Sequence, residues 1–255
     1  MRKSSQIADM DPRIDFLSEK FLGVDYVEST LIGDRDTPEV FVLNFEGVDC
    51  FTFIEYVEAM RLSKSFSEFE ENLRRVRYRS GKVSFMNRNH FFTDWREFNS
   101  DFVKDVTKQI GGDKALTIRK ILNEKDDGTS FLPGIPPISR EINYLPPDVV
   151  DDSVSDRLKT GDYTGIYSAT EGLDVSHVGI IIKKVDSIYL RHASSQREIR
   201  KVIDQDFRGY IAGKPGIIIL RPKKADISWS RSASLKSHRA TPTKATNRAK
   251  RQKKL

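Results

Sequence analysis

DVSHVGIIIKKVDSIYLRHASS, residues 174–195, decides how this chain is read. It holds two short β-branched runs, HVGIIIKK and SIYLRHAS, on either side of a turn near residues 185–187. GDYTGIYSAT before it and GIIILRP after it have the same strand-like character. The chain N-terminal to these runs is different. RIDFLSEKFLG places Ile14, Phe16, Leu17, Phe21 and Leu22 on a short amphipathic helix ended by Gly23. EVFVLNF is a short apolar segment leading into Gly47 and Cys50. From Cys50, the residues Phe53, Ile54, Val57 and Met60 or Arg61 recur at three and four spacing, which predicts a second helix. Ser67 with Glu70 predicts a capping box for a third, running to about Arg75. NRNHFFTDWREFNSDFVKDVTKQIGG predicts a loop, then a helix stopped by Gly111 and Gly112. Residues 124–162, rich in Pro and Asp, are expected to wrap the surface. Helices first and strands afterwards make an α+β domain.

The 255 residues suffice for one sizeable core, and 38% hydrophobic with 31% charged residues fits a soluble globular protein. No run of about 18 apolar residues occurs, so no transmembrane segment is expected. MRKSSQIADMDPRIDF has a basic start without an apolar core, so no secretory signal is expected. A single cysteine excludes a disulfide framework and a cysteine-based metal cluster. The net charge of +6 belongs to one end: residues 231–255 hold nine Lys or Arg and no acid, and removing them leaves 34 basic against 37 acidic residues. That tail is rich in Ser, Thr, Ala and Lys, has little to bury, and reads as disordered. It is either a solubilising end or a contact to nucleic acid or another anionic surface.

The cysteine stands in GVDCFTFIE, residues 47–55, at the head of the second helix and just after an acid. A thiol there meets the positive end of the helix dipole and free backbone N–H groups, and both favour the reactive thiolate. Of four histidines, His238 is in the tail and His90 precedes a helix. His177 begins one strand of the hairpin and His192 ends the next, so the two should be near neighbours; their face is not fixed, because a one-residue slip turns a side chain over. One imidazole beside Cys50 would take the thiol proton and return it to a leaving amine. The second would hold the first in the right tautomer. Each has a bland alternative: a lone cysteine is commonly a small buried hydrophobe, and a lone strand histidine is commonly structural. A metal site from His90, His177, His192 and an Asp has no supporting ligand spacing.

FLGVDYVEST, VDCFTFIE, NRNHFFTDW, GLDVSHVGIII and LRHASS, in that order, resemble the N-acetylmuramoyl-L-alanine amidase-like family, within the NlpC-type branch of papain-fold bacterial cell-wall cysteine peptidases. The resemblance runs from about Ile14 to Leu220. It implies a papain-like NlpC-type fold in which the helix bearing Cys50 packs on an antiparallel sheet, with helical insertions. The implied boundaries are a flexible N-terminus over 1–12, the amidase domain over 13–225 with an insertion at about 65–150, and the basic disordered tail over 226–255. Cys50 matches the nucleophile, His177 the general base and His192 the polar third member. Tyr26 matches a tyrosine facing the active site, and Asp49 the acid before the nucleophile. Residues 88–95 resemble the family's own insertion; by analogy Arg88 and Asn89 would meet a stem-peptide carboxylate and Trp95 a sugar ring. Phe91, Phe92 and Trp95 at this spacing also read as core. Asp174 and Ser176 flank the base and Ser194 and Ser195 the third residue, as substrate contacts or as partners of turn backbone.

The implied function is hydrolysis of an amide in peptidoglycan or muropeptides: the bond between the muramic lactyl group and L-Ala, or one within the stem peptide. No metal or organic cofactor is implied. The periplasm or cell envelope is the implied location, although the chain shows no export signal. The alternatives are a papain-like hydrolase or acyltransferase acting on a different amide, and a module that binds muropeptides without turnover.

Overall fold

A computed structural model describes residues 3–224. These belong to the first of two units into which the chain divides, Met1–Lys224 and Ala225–Leu255. The tail expected over 226–255 lies outside the described residues. In chain order the elements are α1 (Met10–Glu19), β1 (Asp25–Tyr26), β2 (Gly47–Val48), α2 (Cys50–Arg61), α3 (Phe66–Arg77), α4 (Phe92–Phe98), β3 (Val103–Asp105), α5 (Thr107–Gly111), β4 (Leu116–Leu122), β5 (Ile138–Tyr144), α6 (Asp152–Arg157), β6 (Tyr163–Tyr167), β7 (Val175–Lys184), β8 (Ser187–Ala193), β9 (Val202–Asp206), α7 (Phe207–Ile211) and β10 (Ile217–Pro222). Six strands form one sheet in the order β3-β10-β6-β7-β8-β9, with every neighbouring pair antiparallel. The protein is therefore mixed α/β, built on an antiparallel sheet.

The isoleucine run in β7 follows from burial on both faces. Val178, Ile180 and Ile182 join the core formed with Phe53, Ile54 and Val57 of α2. Ile181 and Leu190 join a second core with Ile110 of α5, Val154 of α6, and Phe207 and Ile211 of α7. The α2 helix is buried over most of its circumference, and its two buried carboxylates are paired. Glu55 meets Arg77 of α3 at 2.7 Å. Glu58 pairs with Arg61 and accepts from the Tyr163 hydroxyl of β6 at 2.6 Å. These contacts fix the helix that carries Cys50 to its neighbours.

Several expectations need correction. The third helix is capped by Ser65, whose hydroxyl accepts from Glu68 N, so Ser67 lies inside the first turn. The helix expected up to Gly111 breaks: α4 stops at Phe98, Asn99 turns its amide onto Val76 O, and the chain enters β3 beside β10 before α5 begins. Residues 138–144, within the expected surface wrap, form β5, paired with β4 over seven residues. The 65–150 segment thus carries a hairpin as well as helices. Within 1–12, Ser4–Gln6 form a 3-10 turn with Ser4 buried, and α1 already begins at Met10.

Candidate active site

The site begins with a helix cap. Asp49, in extended backbone, accepts at Oδ1 from Phe51 N (2.9 Å) and Thr52 N (2.7 Å), and Thr52 Oγ1 accepts from Asp49 N at 3.0 Å. This reciprocal capping box starts α2 and sets Cys50 at its first position. The cap also consumes two of the N–H groups that the helix start would otherwise offer, leaving the Cys50 N–H. Cys50 keeps part of its surface open. Burial nevertheless dominates its electrostatics and, with the Asp49 charge, pushes the thiol up to about 12 against the backbone N–H groups of Val178, Cys50 and Phe51. The helix-terminus effect expected from sequence is present but smaller than the desolvation.

His177 lies near the start of β7. The β7–β8 register pairs Ile180 with Arg191, and continuing it puts His192 beside Gly179, on the same side of the hairpin as His177. Gly179 is required here: a Cβ would stand 3.0 Å from His192 Cβ and 2.9 Å from Arg191 O. His177 Nε2 and His192 Nδ1 are 2.8 Å apart, and His192 Nε2 lies 3.2 Å from Gln205 Oε1 on β9. Burial, then His192 and Lys214, push the His177 imidazole down to about 3. His192 is also lowered, by burial, against Gln205 and Asp204. Tyr210 of α7 covers the pair, its ring 4.9 Å from that of His192 and 6.0 Å from that of His177.

Cys50 and His177 line one cavity of about 250 Å³, together with Phe51, His90, Phe91, Phe131, Leu132, Leu173, Asp174 and Ser176. Tyr26 is not among the residues that line it; β1 pairs Tyr26 with Val48, two residues before Cys50. Burial and the neighbouring Cys50 and Asp49 hold its phenol up to about 12. Asp174 is buried, and its carboxylate accepts from Thr93 N and Oγ1 and from Val175 N. Ser176 is exposed at the cavity rim.

Other residues singled out from sequence sit elsewhere. Trp95 is fully buried, stacked on Phe92 and edge-on to Tyr163, so its ring is core. Arg88 is bound to Glu39 and to Gly33 O. Asn89 is buried with its amide on Val76 O. Ser194 is buried, its hydroxyl accepting from Gln196 N at 3.4 Å. Asp49 spends its carboxylate on the cap. Sequence reasoning missed Gln205, Tyr210 and Lys214. Gln205 had a signal in the alternation of VIDQD; the other two come close to the histidines only through the packing of α7. Among the described residues no group of three His, Cys, Asp or Glu is placed to hold a metal ion, and no helix is long and apolar enough to cross a membrane.

A helix-borne thiol and two hydrogen-bonded imidazoles grouped at the end of an antiparallel sheet define the class: a mixed α/β protein with a compact polar centre in an apolar cleft. The chain belongs to the N-acetylmuramoyl-L-alanine amidase-like family, whose profile matches residues 16–217. It is similar to an N-acetylmuramoyl-L-alanine amidase from Bacteroides uniformis, at 31% identity over 84% of this chain and 99% of that one, with a TM-score of 0.70. A DUF1460 protein from Legionella pneumophila shares the fold at 23% identity over 87% and 92% of the two chains, with a TM-score of 0.74. A Bacteroides fragilis protein provisionally named a xylanase is similar at 27% identity over 81% and 99%, with a TM-score of 0.65. No curated protein matches. Membership and neighbours support a hydrolase acting on amides in a peptidoglycan amidase-like role.

Proposed function

We propose that this protein is a cysteine amidase of papain-like, NlpC-type fold that hydrolyses an amide bond in peptidoglycan or muropeptides, through Cys50, His177 and His192. The observation carrying this reading is the 2.8 Å contact between two imidazoles, the first of which shares a cavity with the chain's single thiol. The hydrogen-bond chain assigns the tautomers. Gln205 Oε1 accepts from His192 Nε2–H, so His192 Nδ1 accepts from His177 Nε2–H. His177 Nδ1 is then left with a free lone pair, which makes it the base.

In the cavity they share, Cys50 is a neutral thiol and His177 a neutral imidazole, because burial disfavours both charged forms. Attack and proton transfer are therefore coupled. Cys50 Sγ adds to the carbonyl carbon as its proton passes to His177 Nδ1, and His177 then gives that proton to the leaving nitrogen. Water, deprotonated by His177, cleaves the thioester and releases the carboxylic acid. The Cys50 N–H and the Tyr26 hydroxyl, which stays protonated, are the donors for the developing oxyanion. Ser176 borders the cleft as a substrate contact, while Asp174 shapes its wall with a carboxylate held by Thr93 and Val175. Glycoside hydrolysis would need two carboxylates across the scissile bond. The cavity offers Asp174, already saturated by Thr93 and Val175.

The test is digestion of purified muropeptides by wild type and Cys50→Ala, read by mass spectrometry. Free stem peptide beginning at L-Ala, from wild type alone, supports the amidase reading; a wild-type-only cut within the peptide keeps the mechanism and moves the bond. Equal turnover by both proteins, or none by folded wild type, overturns it.

A further inference from the structure

The apolar cavity at Cys50 is walled by Phe51, Phe91, Phe131 and Leu173. Two tyrosines outside that lining, Tyr26 and Tyr210, are close enough to Cys50 to feel its charge. Each has a cation over its ring: Arg200 lies 4.8 Å from the centre of Tyr26, and Lys214 lies 5.4 Å from the centre of Tyr210. The two cations differ in what they can still bind. Arg200 is held by Glu28 and by Tyr26 O, both at 3.2 Å. Lys214 Nζ makes no ion pair or hydrogen bond among the described residues, and neither does the Tyr210 hydroxyl. Lys214 is exposed, but its backbone is pinned. Gly213 takes a positive φ of 74°, Lys214 N donates to Ile211 O at 3.0 Å, and Pro215 follows. An unpaired ammonium and a free phenol thus stand together on the ring that covers the histidine pair.

Resting on the reading of the site given above, we propose that Lys214 and Tyr210 form a subsite for a carboxylate of the substrate, so that the preferred substrate is an amide carrying an acidic residue within two positions of the scissile bond. The ammonium donates to the carboxylate as a charge-assisted partner, and the Tyr210 hydroxyl supplies a second donor. The arrangement has a consequence for turnover. In the free protein the Lys214 charge opposes protonation of His177. A carboxylate bound to Lys214 cancels that field, so His177 accepts the thiol proton more readily when the correct substrate is in place.

The test compares two ligands that differ only in charge at the second residue: N-acetylmuramoyl-L-alanyl-D-glutamate and its diamide, in which both glutamate carboxylates are amides. Affinities are measured by calorimetry on Cys50→Ala protein, with and without Lys214→Gln, and cleavage is followed in proteins that retain Cys50. The glutamate ligand is expected to bind about fivefold more tightly, the upper range for an exposed charge pair. Lys214→Gln should remove that preference by weakening the glutamate ligand alone, and Lys214→Arg should keep it. A preference that survives Lys214→Gln, or equal binding to Lys214 protein, overturns the subsite. Cysteine-dependent cleavage of either ligand shows that the amidase reading stands whatever Lys214 does. If wild type cleaves neither ligand and Cys50→Ala binds neither, that reading fails and the subsite falls with it.

Discussion

At the scale of the residue, the account turns on Cys50. Its place at a helix start favours thiolate, while burial and Asp49 favour thiol, and burial wins, holding it at about 12. The free protein should therefore react with iodoacetamide at pH 7 more slowly than free cysteine does. A fast rate already at its plateau by pH 5 would mean a preformed ion pair with His177. Gln205 acts one step further out, as a positioning residue for the two imidazoles. Gln205→Leu leaves His192 Nε2–H without an acceptor and should lower kcat about tenfold with little change in KM. Gln205→Glu should move the acid limb of the kcat/KM profile to higher pH, because a carboxylate favours the imidazolium. Unaltered profiles in both variants would remove Gln205 from the mechanism.

At the scale of the element, α2 carries Cys50 at its first position and its cap was only half legible. The apolar spacing from Phe53 onward and the acid before Cys50 were plain in the sequence; that Asp49 would use two helix-start N–H groups was not, because capping depends on backbone conformation. Asp49→Ala should cost about 1 kcal/mol of stability in urea unfolding. It should also speed alkylation of Cys50, since the charge that opposes the thiolate is gone. Slower alkylation would contradict that assignment. The hairpin of His177 and His192 was legible because β-branched runs flank a clear turn. The β4–β5 pair was not: a 15-residue connection, residues 123–137, separates its strands, and Pro and Asp around β5 mask the pattern. The cap of α3 went to Ser65 for a tertiary reason, as Asn72 on the same helix reaches back to Leu62 O and Ser63 Oγ and fixes the approach of the chain.

At the scale of the whole molecule, buried ionisable groups set the response to pH. His90, His177 and His192 are all held neutral by burial, with His90 at about 4 and its Nε2–H on Phe85 O at 2.8 Å. A histidine depressed in the folded state contributes stability that is fully present above its unfolded value near 6.5 and lost as pH falls toward its folded value. Buried Asp162 and Asp174, both raised, act in the opposite sense, so the histidine contribution must be isolated by comparison. His90→Gln keeps a donor for Phe85 O and cannot titrate. Between pH 7 and pH 4, wild type should lose about 3 kcal/mol more stability than this variant; parallel curves would contradict a buried neutral His90. The same packing makes Arg77→Met costly, about 3–5 kcal/mol in urea unfolding, because it strands Glu55 in the core. The proposed role of Cys50 as nucleophile, in the cavity it shares with His177, is tested most directly by looking for the covalent intermediate. Wild type mixed with a muropeptide, quenched in acid within milliseconds to seconds and read by intact-protein and peptide mass spectrometry, should carry an acyl adduct on Cys50 that is absent from Cys50→Ala. Turnover by Cys50→Ala at the wild-type rate would contradict the account.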